Sequence, residues 1–457
     1  MLFGEAALYQ ERVTQLVPKQ QPLAVAVEHF ACARNADCLA ALHFHSGFDA
    51  DVLRTRAFIR LRRFNEAEDA IRATLHAAAS DEDRALSFTL LGTILSRQGD
   101  EDGANAAWVD ARKHIFGAAA PALRAELNYY VALSAWRSRD LREARRIAHE
   151  SLTEAEHSQY SSGARYPAAV SIAFTYELLA IIEALDERHV MQVEYLRQGF
   201  SALSAATRPH VWAEASLLNN LASVITEVRM PDVTEFLRAR ASAVPWNGEM
   251  PGWAYNVYRA LGWAEALEGN EIAAFRELRK AEAHAPTIPR RIEAILDRAF
   301  LFGAIGEALS ARERFDEAEQ LCALVDWSTT EGEDRYALLW GAELAASFNP
   351  KRAQAMITRY NAIRKPLDPM LVARGTLRRW QGYEYDAFGT VAAASGDLVT
   401  GIHFLRNALQ SWDRLGYTWR AAKTARAIAS FTKAESDIAD AAARAASYHR
   451  SWLGRAQ

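Results

Sequence analysis

Three cysteines in 457 residues, Cys32, Cys38 and Cys322, leave no material for a disulfide framework and fit a reducing compartment. Proline and glycine are sparse, at 13 and 23, while half the residues are hydrophobic. That balance argues against disorder and allows a large buried surface. Charge of one sign is also missing. The 53 basic and 57 acidic residues give a formal net charge of −4, which disfavours a chain whose main work is to coat nucleic acid or anionic lipid. No run of alternating Val, Ile and Thr bounded by Asn-Gly turns is present, so strands are not expected. The most apolar stretch, Tyr166–Leu185, is interrupted by Glu177 and Glu183, and its uncharged parts are too short to span a bilayer. The opening Met1–Arg12 lacks a basic segment followed by an apolar core. No secretory signal is read there, and a cytoplasmic protein is expected.

What the chain has in quantity is Ala, Leu, Glu and Arg, with apolar residues recurring at three- and four-residue steps. It therefore reads as almost wholly helical. Within that pattern small residues fall at fixed offsets. Gly92, Gly99, Ala104 and Ala111 are separated by seven, five and seven positions, and so are Gly262, Gly269, Ala274 and Ala281, and Gly389, Gly396, Gly401 and Ala408. Weaker copies align Phe64 with Ala67, Leu141 with Ala144, and Phe315 with Ala318. A degenerate copy starts at Tyr176, and another at Leu217 drifts after Pro231. Each unit reads as two antiparallel helices, A and B. Gly92 and Ala104 are expected where A crosses B, since backbones approach closely only over small side chains. Gly99 is expected at the end of helix A in the left-handed region. Trp108, Leu278 and Leu405 are expected to fill the space between neighbouring pairs, and Pro286 to end a B helix. One hairpin cannot bury its apolar face alone, so the units must stack.

These residues carry a resemblance to the tetratricopeptide repeat, matched best by Leu91, Gly92, Ala104, Trp108 and Ala111, and by Leu261, Gly262, Ala274 and Pro286. The resemblance runs from about Asp49 onward. It implies an all-α, right-handed superhelical solenoid of about ten such antiparallel pairs. The alanine spacing departs from it, being 37 from Ala67 to Ala104 and 40 from Ala104 to Ala144, against ~34 in the standard repeat. Longer units of this kind resemble the sensor arms of LuxR-type and maltose-activator-type regulators, and Leu415–Ala429 and Ser447–Arg455 are similar to the end of such an arm. In those regulators a helix-turn-helix follows. None is read before Gln457, so direct nucleic-acid binding is not expected. Organisation is read as a helical cap over 1–48, a first array over 49–242 and a second over 243–457. The Pro- and Gly-bearing Ala243–Trp253 stretch forms the break, and Asn361–Met370 is a second candidate.

Chemistry is thin. His29, Cys32, Cys38, His43 and His45 cluster within seventeen residues. Their spacing matches no zinc site, both cysteines sit among alanines as small buried hydrophobes do, and His43 and His45 would leave a helix on different faces. Ser430 and Lys433 have the spacing of a nucleophile pair but none of its companion motifs. No phosphate-cradling glycine loop and no H-E-x-x-H occurs. The reading is therefore non-catalytic, with no cofactor and no metal. Arginine runs at Arg54, Arg56, Arg60, Arg62 and Arg63, at Arg290 and Arg291, and at Arg378 and Arg379 fit either solvated, ion-paired faces or recognition of an acidic segment or phosphate.

The resemblance places A helices along a concave groove that holds a partner. By register its inward positions carry Arg56, Arg60, Thr93, Arg97, Tyr129, Trp136, Arg137, Tyr176, Asn219, Asn220, Arg259 and Trp263, with Glu183 beside them. Amides grip an extended backbone, while aromatics and arginines anchor side chains. Asn219 and Asn220 read equally as residues tying helices together. The function expected is a scaffold that binds a peptide or partner protein, in a setting of bacterial signalling or transcriptional regulation. The alternatives are a small-molecule sensing arm and, behind it, a metal-binding module or enzyme near Cys32.

Overall fold

The structure, a computed structural model, describes residues 22–116, 120–158, 168–206, 210–228, 230–250, 252–330, 332–364, 374–448 and 450–453. Readings that fall on Met1–Arg12, on Tyr166 and Pro167, on Lys365–Met370, and on His449, Gly454 and Arg455 lie outside those residues. Among the described residues every regular element is helical. In chain order the first elements are α1 (Pro22–Ala31), α2 (Asn35–Ala41), α3 (Phe48–Arg60), α4 (Phe64–His76), α5 (Asp81–Gln98) and α6 (Glu101–Lys113). Next come α7 (Ala120–Arg137), α8 (Leu141–Ser158), α9 (Ala168–Leu185), α10 (His189–Ser204), α11 (Val211–Ile225) and α12 (Pro231–Ala241). Then follow α13 (Trp253–Glu268), α14 (Glu271–Ala283), α15 (Ile288–Ala304), α16 (Ala308–Cys322), α17 (Tyr336–Ala346) and α18 (Pro350–Ile363). The last are α19 (Arg374–Ala394), α20 (Leu398–Leu415), α21 (Thr418–Thr432) and α22 (Glu435–Ala445). Odd-numbered helices are the A members of a pair and even-numbered ones the B members. From α1–α2 to α7–α8, and from α13–α14 to α21–α22, the two members pack on each other.

One backbone device recurs at the A-to-B turn. Ala33, Arg62, Gly99, Arg139, Glu187, Gly269, Gly306 and Gly396 all have positive φ. At each, the following amide closes back onto the A helix, as in Asp100 N to Leu95 O at 2.9 Å and Asp140 N to Ala135 O at 2.9 Å. Such a left-handed closing residue satisfies carbonyls at the helix end. Counted from it, the residue seven back is Ala26, Thr55, Gly92, Ala132, Ala180, Gly262, Ala299 or Gly389. The residue five on is Cys38, Ala67, Ala104, Ala144, Gln192, Ala274, Ala311 or Gly401. Where glycine stands seven back, a B-helix side chain lies on it. A Cβ built on Gly92 would stand 2.6 Å from Trp108 Cδ1, and one on Gly262 would stand 2.6 Å from Leu278 Cγ. Trp108, Leu278 and Leu405 thus sit on the glycine of their own pair, a different place from the gap between pairs that their size predicts.

The same frame corrects one alignment. Phe315 and Ala318 lie nine and twelve residues past Gly306, level with Trp108 and Ala111, so Ala311 is the counterpart of Ala67. A small residue recurring after seven positions reads identically two helical turns away, and only the turn resolves the register. The longer spacing from Ala104 to Ala144 does not come from helix length, because α5 and α7, the A helices of the two intervals, both have 18 residues.

Packing divides the chain into two units. Unit 1 is Met1–Ala184, Arg188–Asn220 and Ala239–Met250; unit 2 is Leu185–Glu187, Leu221–Arg238 and Pro251–Gln457. In unit 1 the non-helical segment after α12 turns back to the first pair. The Glu249 carboxylate accepts the Asn35 and Ala36 amides and, at 2.9 Å, Asn35 Nδ2. In unit 2, Trp419 Nε1 donates to Thr226 O at 2.9 Å. Its core is aromatic: Trp263 lies 4.8 Å from Trp419 and 6.2 Å from Trp340, centroid to centroid.

Candidate functional site

A helices that are not neighbours in sequence order touch in unit 1. Arg56 of α3 is buried and pairs with Glu126 of α7 at 2.6 Å. Arg60 of α3 donates to Phe30 O at 2.7 Å, and its guanidinium lies 3.5 Å from the Phe30 ring and 5.0 Å from the Trp212 ring of α11. These two arginines are the first pair of the expected groove, and both are engaged by the fold. Arg259 and Trp263 meet the same outcome in unit 2. Arg259 holds Asp297 at 2.6 Å and Glu293 at 2.9 Å. Burial opposes its charge, yet those two carboxylates keep its pKa well above the ordinary value. Trp263 is 1 % exposed, inside the aromatic core. The A helices of unit 2 meet across their inward positions. Arg420 of α21 is held by Glu227 and lies over Tyr383 and Trp419, and Trp340 Nε1 donates to Asp297 at 3.0 Å. At these positions side chains of the same unit contact one another.

The amide pair also serves the fold. Asn220 Nδ2 donates to Glu177 Oε1 at 2.6 Å and to Ser216 O at 3.1 Å, tying α11 to α9. Asn219 is half-buried beside it. Glu177 faces this amide and the Ser216 hydroxyl, no cation among the described residues pairs with it, and burial pushes its carboxyl up to about 7. Thr93 is buried and bonds Thr89 O within its own helix. Tyr176 is half-buried and stacks on Tyr195, and Glu183 is taken by Arg145 and Arg188.

Arg97 and Arg137 stand apart. Each lies two residues before the left-handed turn residue of its A helix, the position that Arg60 has in α3. Among the described residues neither side chain has a hydrogen-bond or ion-pair partner, and Arg62 beside them has none either. Nη2 of Arg137 is covered yet unpaired. Burial, reinforced by the Arg97 charge, brings its pKa down to about 10 against the pull of Tyr129 and Glu101. Arg97 is exposed, but the mass of protein around it and the Arg62 charge depress its pKa too, while Tyr129 and Tyr130 oppose. Tyr129 packs against Tyr130 and Phe174 and influences both arginines. Half-buried Trp136, next to Arg137, keeps a covered Nε1 without a partner. Glu101, the neighbouring carboxylate, is held by hydroxyls: Ser134 Oγ donates at 2.9 Å and Ser96 Oγ at 3.4 Å. Tyr130 escaped the sequence reading, and Arg62 entered it only as a member of a basic run. Counting from the turn, which aligns Arg60, Arg97 and Arg137, is the signal that finds this place.

The cysteines, the Ser430–Lys433 pair and the arginine runs resolve into packing. Cys38 is a fully buried core residue among Ala26, Phe30, Leu42 and Leu53. Among the described residues no three His, Cys, Asp or Glu side chains form a group able to hold a metal. Ser430 Oγ bonds Ala427 O, and Lys433 closes α21 with positive φ. Most remaining arginines of the basic runs are ion-paired: Arg54 with Asp51, Arg63 with Glu66, Arg290 with Glu293 and Asp334, Arg291 with Glu282, Arg378 with Glu187 and Arg379 with Glu333. No described helix is long and apolar enough to cross a membrane.

No family model matches the chain, and no curated protein matches it. Among solved structures it is similar to the APC/C hetero-tetramer Cut9–Hcn1, at 12% identity and TM-score 0.27, covering 97% of this chain and 96% of that one. It is also similar to Naa15/Naa10 bound to HypK-THB, at 11% identity and TM-score 0.22, covering 94% and 88%. The fold itself stands on the packing described above.

Proposed function

We propose that the protein is a non-catalytic interaction scaffold and that a segment of a protein partner docks on unit 1 at the last turns of α5 and α7, around Arg97, Tyr129, Trp136 and Arg137. The observation that carries this is the contrast within one register. Arg60 is bonded and stacked inside the fold, whereas among the described residues the side chains of Arg97 and Arg137 have no partner, and Nη2 of Arg137 is covered as well. A desolvated, unpaired cation is costly to a folded chain, so sites of this kind cluster where a ligand supplies the missing partner. Tyr and Trp beside Arg are the residue types that dominate binding energy at interfaces. The setting in bacterial signalling or gene regulation, and the cytoplasmic location, belong to the same reading and rest on the resemblance of the repeat.

The test is affinity capture with the full chain, comparing wild type with Arg97→Glu/Arg137→Glu and with Arg72→Glu, a control on an exposed arginine of α4 that pairs with Glu68. Proteins kept by wild type and the control but lost by the double variant support the reading. An identical set of captured proteins from all three chains overturns it.

A further inference from the structure

Resting on that reading, we propose that the docked segment is acidic and that the Arg97–Arg137 surface of unit 1 recognises it through paired carboxylates. Arg97 and Arg137 hold the same position on successive A helices, Arg62 is the turn residue of the A helix before them, and among the described residues none of the three side chains has a hydrogen-bond or ion-pair partner. Elsewhere in the chain the rule is the opposite: carboxylates answer Arg56, Arg259, Arg290, Arg379 and Arg420. The nearby carboxylate, Glu101, is turned to two serine hydroxyls and leaves the guanidinium edges unclaimed. Guanidinium forks match carboxylates in a bidentate way that lysine does not, and the bond gains most where water is already partly displaced, as at the covered Nη2 of Arg137. Tyr129, packed against Tyr130 and Phe174, offers an aromatic side chain for an apolar residue of the segment.

The surroundings favour a short acidic peptide over a nucleic-acid backbone. Asp100, Glu101 and Asp102 are exposed at the turn that follows Arg97, and Asp140 is exposed just past Arg137. A long polyanion would run over these carboxylates, whereas a segment with two acids spaced to the arginines clears them.

Fluorescence anisotropy with the full chain decides the matter. The probes are rhodamine-labelled peptides of about a dozen residues: one of alternating Glu and Phe or Leu, the same peptide with Gln for Glu, and the same with Lys for Glu. The acidic peptide is expected to bind, and its affinity to fall as salt rises from about 50 to about 500 mM. Arg97→Gln and Arg137→Gln should each weaken it about tenfold, Arg137→Lys should weaken it less, and Arg72→Gln should not change it. Equal binding of the acidic and Gln peptides, or binding indifferent to both Arg→Gln variants, overturns the acidic assignment. In that case the scaffold reading is judged by the capture experiment alone. Binding of a single-stranded oligonucleotide that displaces the acidic peptide and is lost in the same variants replaces the peptide with a phosphate backbone. Failure of all three peptides to bind overturns the proposal, and partners captured through Arg97 and Arg137 would then be held by contacts other than acid pairing.

Discussion

Glu177 shows how one residue can be legible as a type and opaque as a role. In the sequence it counts only as an interruption of an apolar stretch. In the structure it is a buried carboxyl whose two neighbours, Ser216 and Asn220, bond it without neutralising it. Its pKa rises from 4.5 to about 7, chiefly through burial. Below pH 4.5 it is protonated folded or unfolded. Between 4.5 and about 7 the unfolded chain releases the proton and the folded chain keeps it, so stability falls as pH rises through that window. The loss amounts to about 3 kcal/mol in total. Glu177→Gln keeps the amide and hydroxyl contacts and removes the titration. Urea denaturation of both proteins should give equal stabilities near the acid end of the window, with the variant pulling ahead by up to that amount above neutrality. Parallel pH curves would show that the carboxyl is not confined as described. The arginines teach the same lesson. Arg56, Arg60, Arg97, Arg137 and Arg259 share residue type and an inward position, and the sequence offers no means of separating them. What separates them is whether another helix brings a carboxylate or a ring. Glu126 meets Arg56 from two pairs further along, beyond the reach of local spacing.

At the scale of the helix pair, small residues at fixed intervals were enough to infer the hairpins, because close backbone approach leaves a mark in composition. Turns were readable only where glycine occupied them. Ala33, Arg62, Arg139 and Glu187 take the same left-handed conformation without glycine, which hid half of the turn positions. The turn before α16 does carry a glycine, Gly306, but Ala318 repeats Ala311 seven residues on and drew the alignment two helical turns along. The packing rule is sharpest at Gly92. A methyl group there meets Cδ1 of the buried Trp108 indole at 2.6 Å, and Trp108 is 2 % exposed. Gly92→Ala should therefore cost about 1–3 kcal/mol through overpacking. The chain itself supplies a compensating change, since Ala180 and Leu196 occupy these two positions in α9 and α10. Gly92→Ala combined with Trp108→Leu should recover part of the loss. Thermal unfolding of the single and double variants checks both statements, and an unperturbed Gly92→Ala protein would contradict the contact.

Across the whole of unit 1, its two sequence ends are clasped. Arg34 precedes α2 and provides no side-chain cap, so the amides of Asn35 and Ala36 would lack partners. Glu249, more than two hundred residues later, accepts both. Glu249→Ala should cost about 1–2 kcal/mol, the scale of a lost helix cap. It should also speed hydrogen exchange of the α2 amides, read by mass spectrometry on the full chain. Unchanged exchange in α2 would show that the carboxylate is dispensable. The sequence held no trace of this link, because neither an asparagine nor a glutamate in a loop announces so distant a partner.

The clasp also bears on how such a chain can change its size. Open arrays lengthen or shorten by copying or deleting a unit, since each unit touches only its neighbours. In unit 1 an inserted pair would carry Glu249 past the start of α2 by roughly the 8–10 Å that separates packed helices, far outside hydrogen-bonding reach. Copy number within unit 1 is therefore constrained by a contact that must be kept, and duplication, the easiest route by which repeat proteins evolve, carries a penalty here.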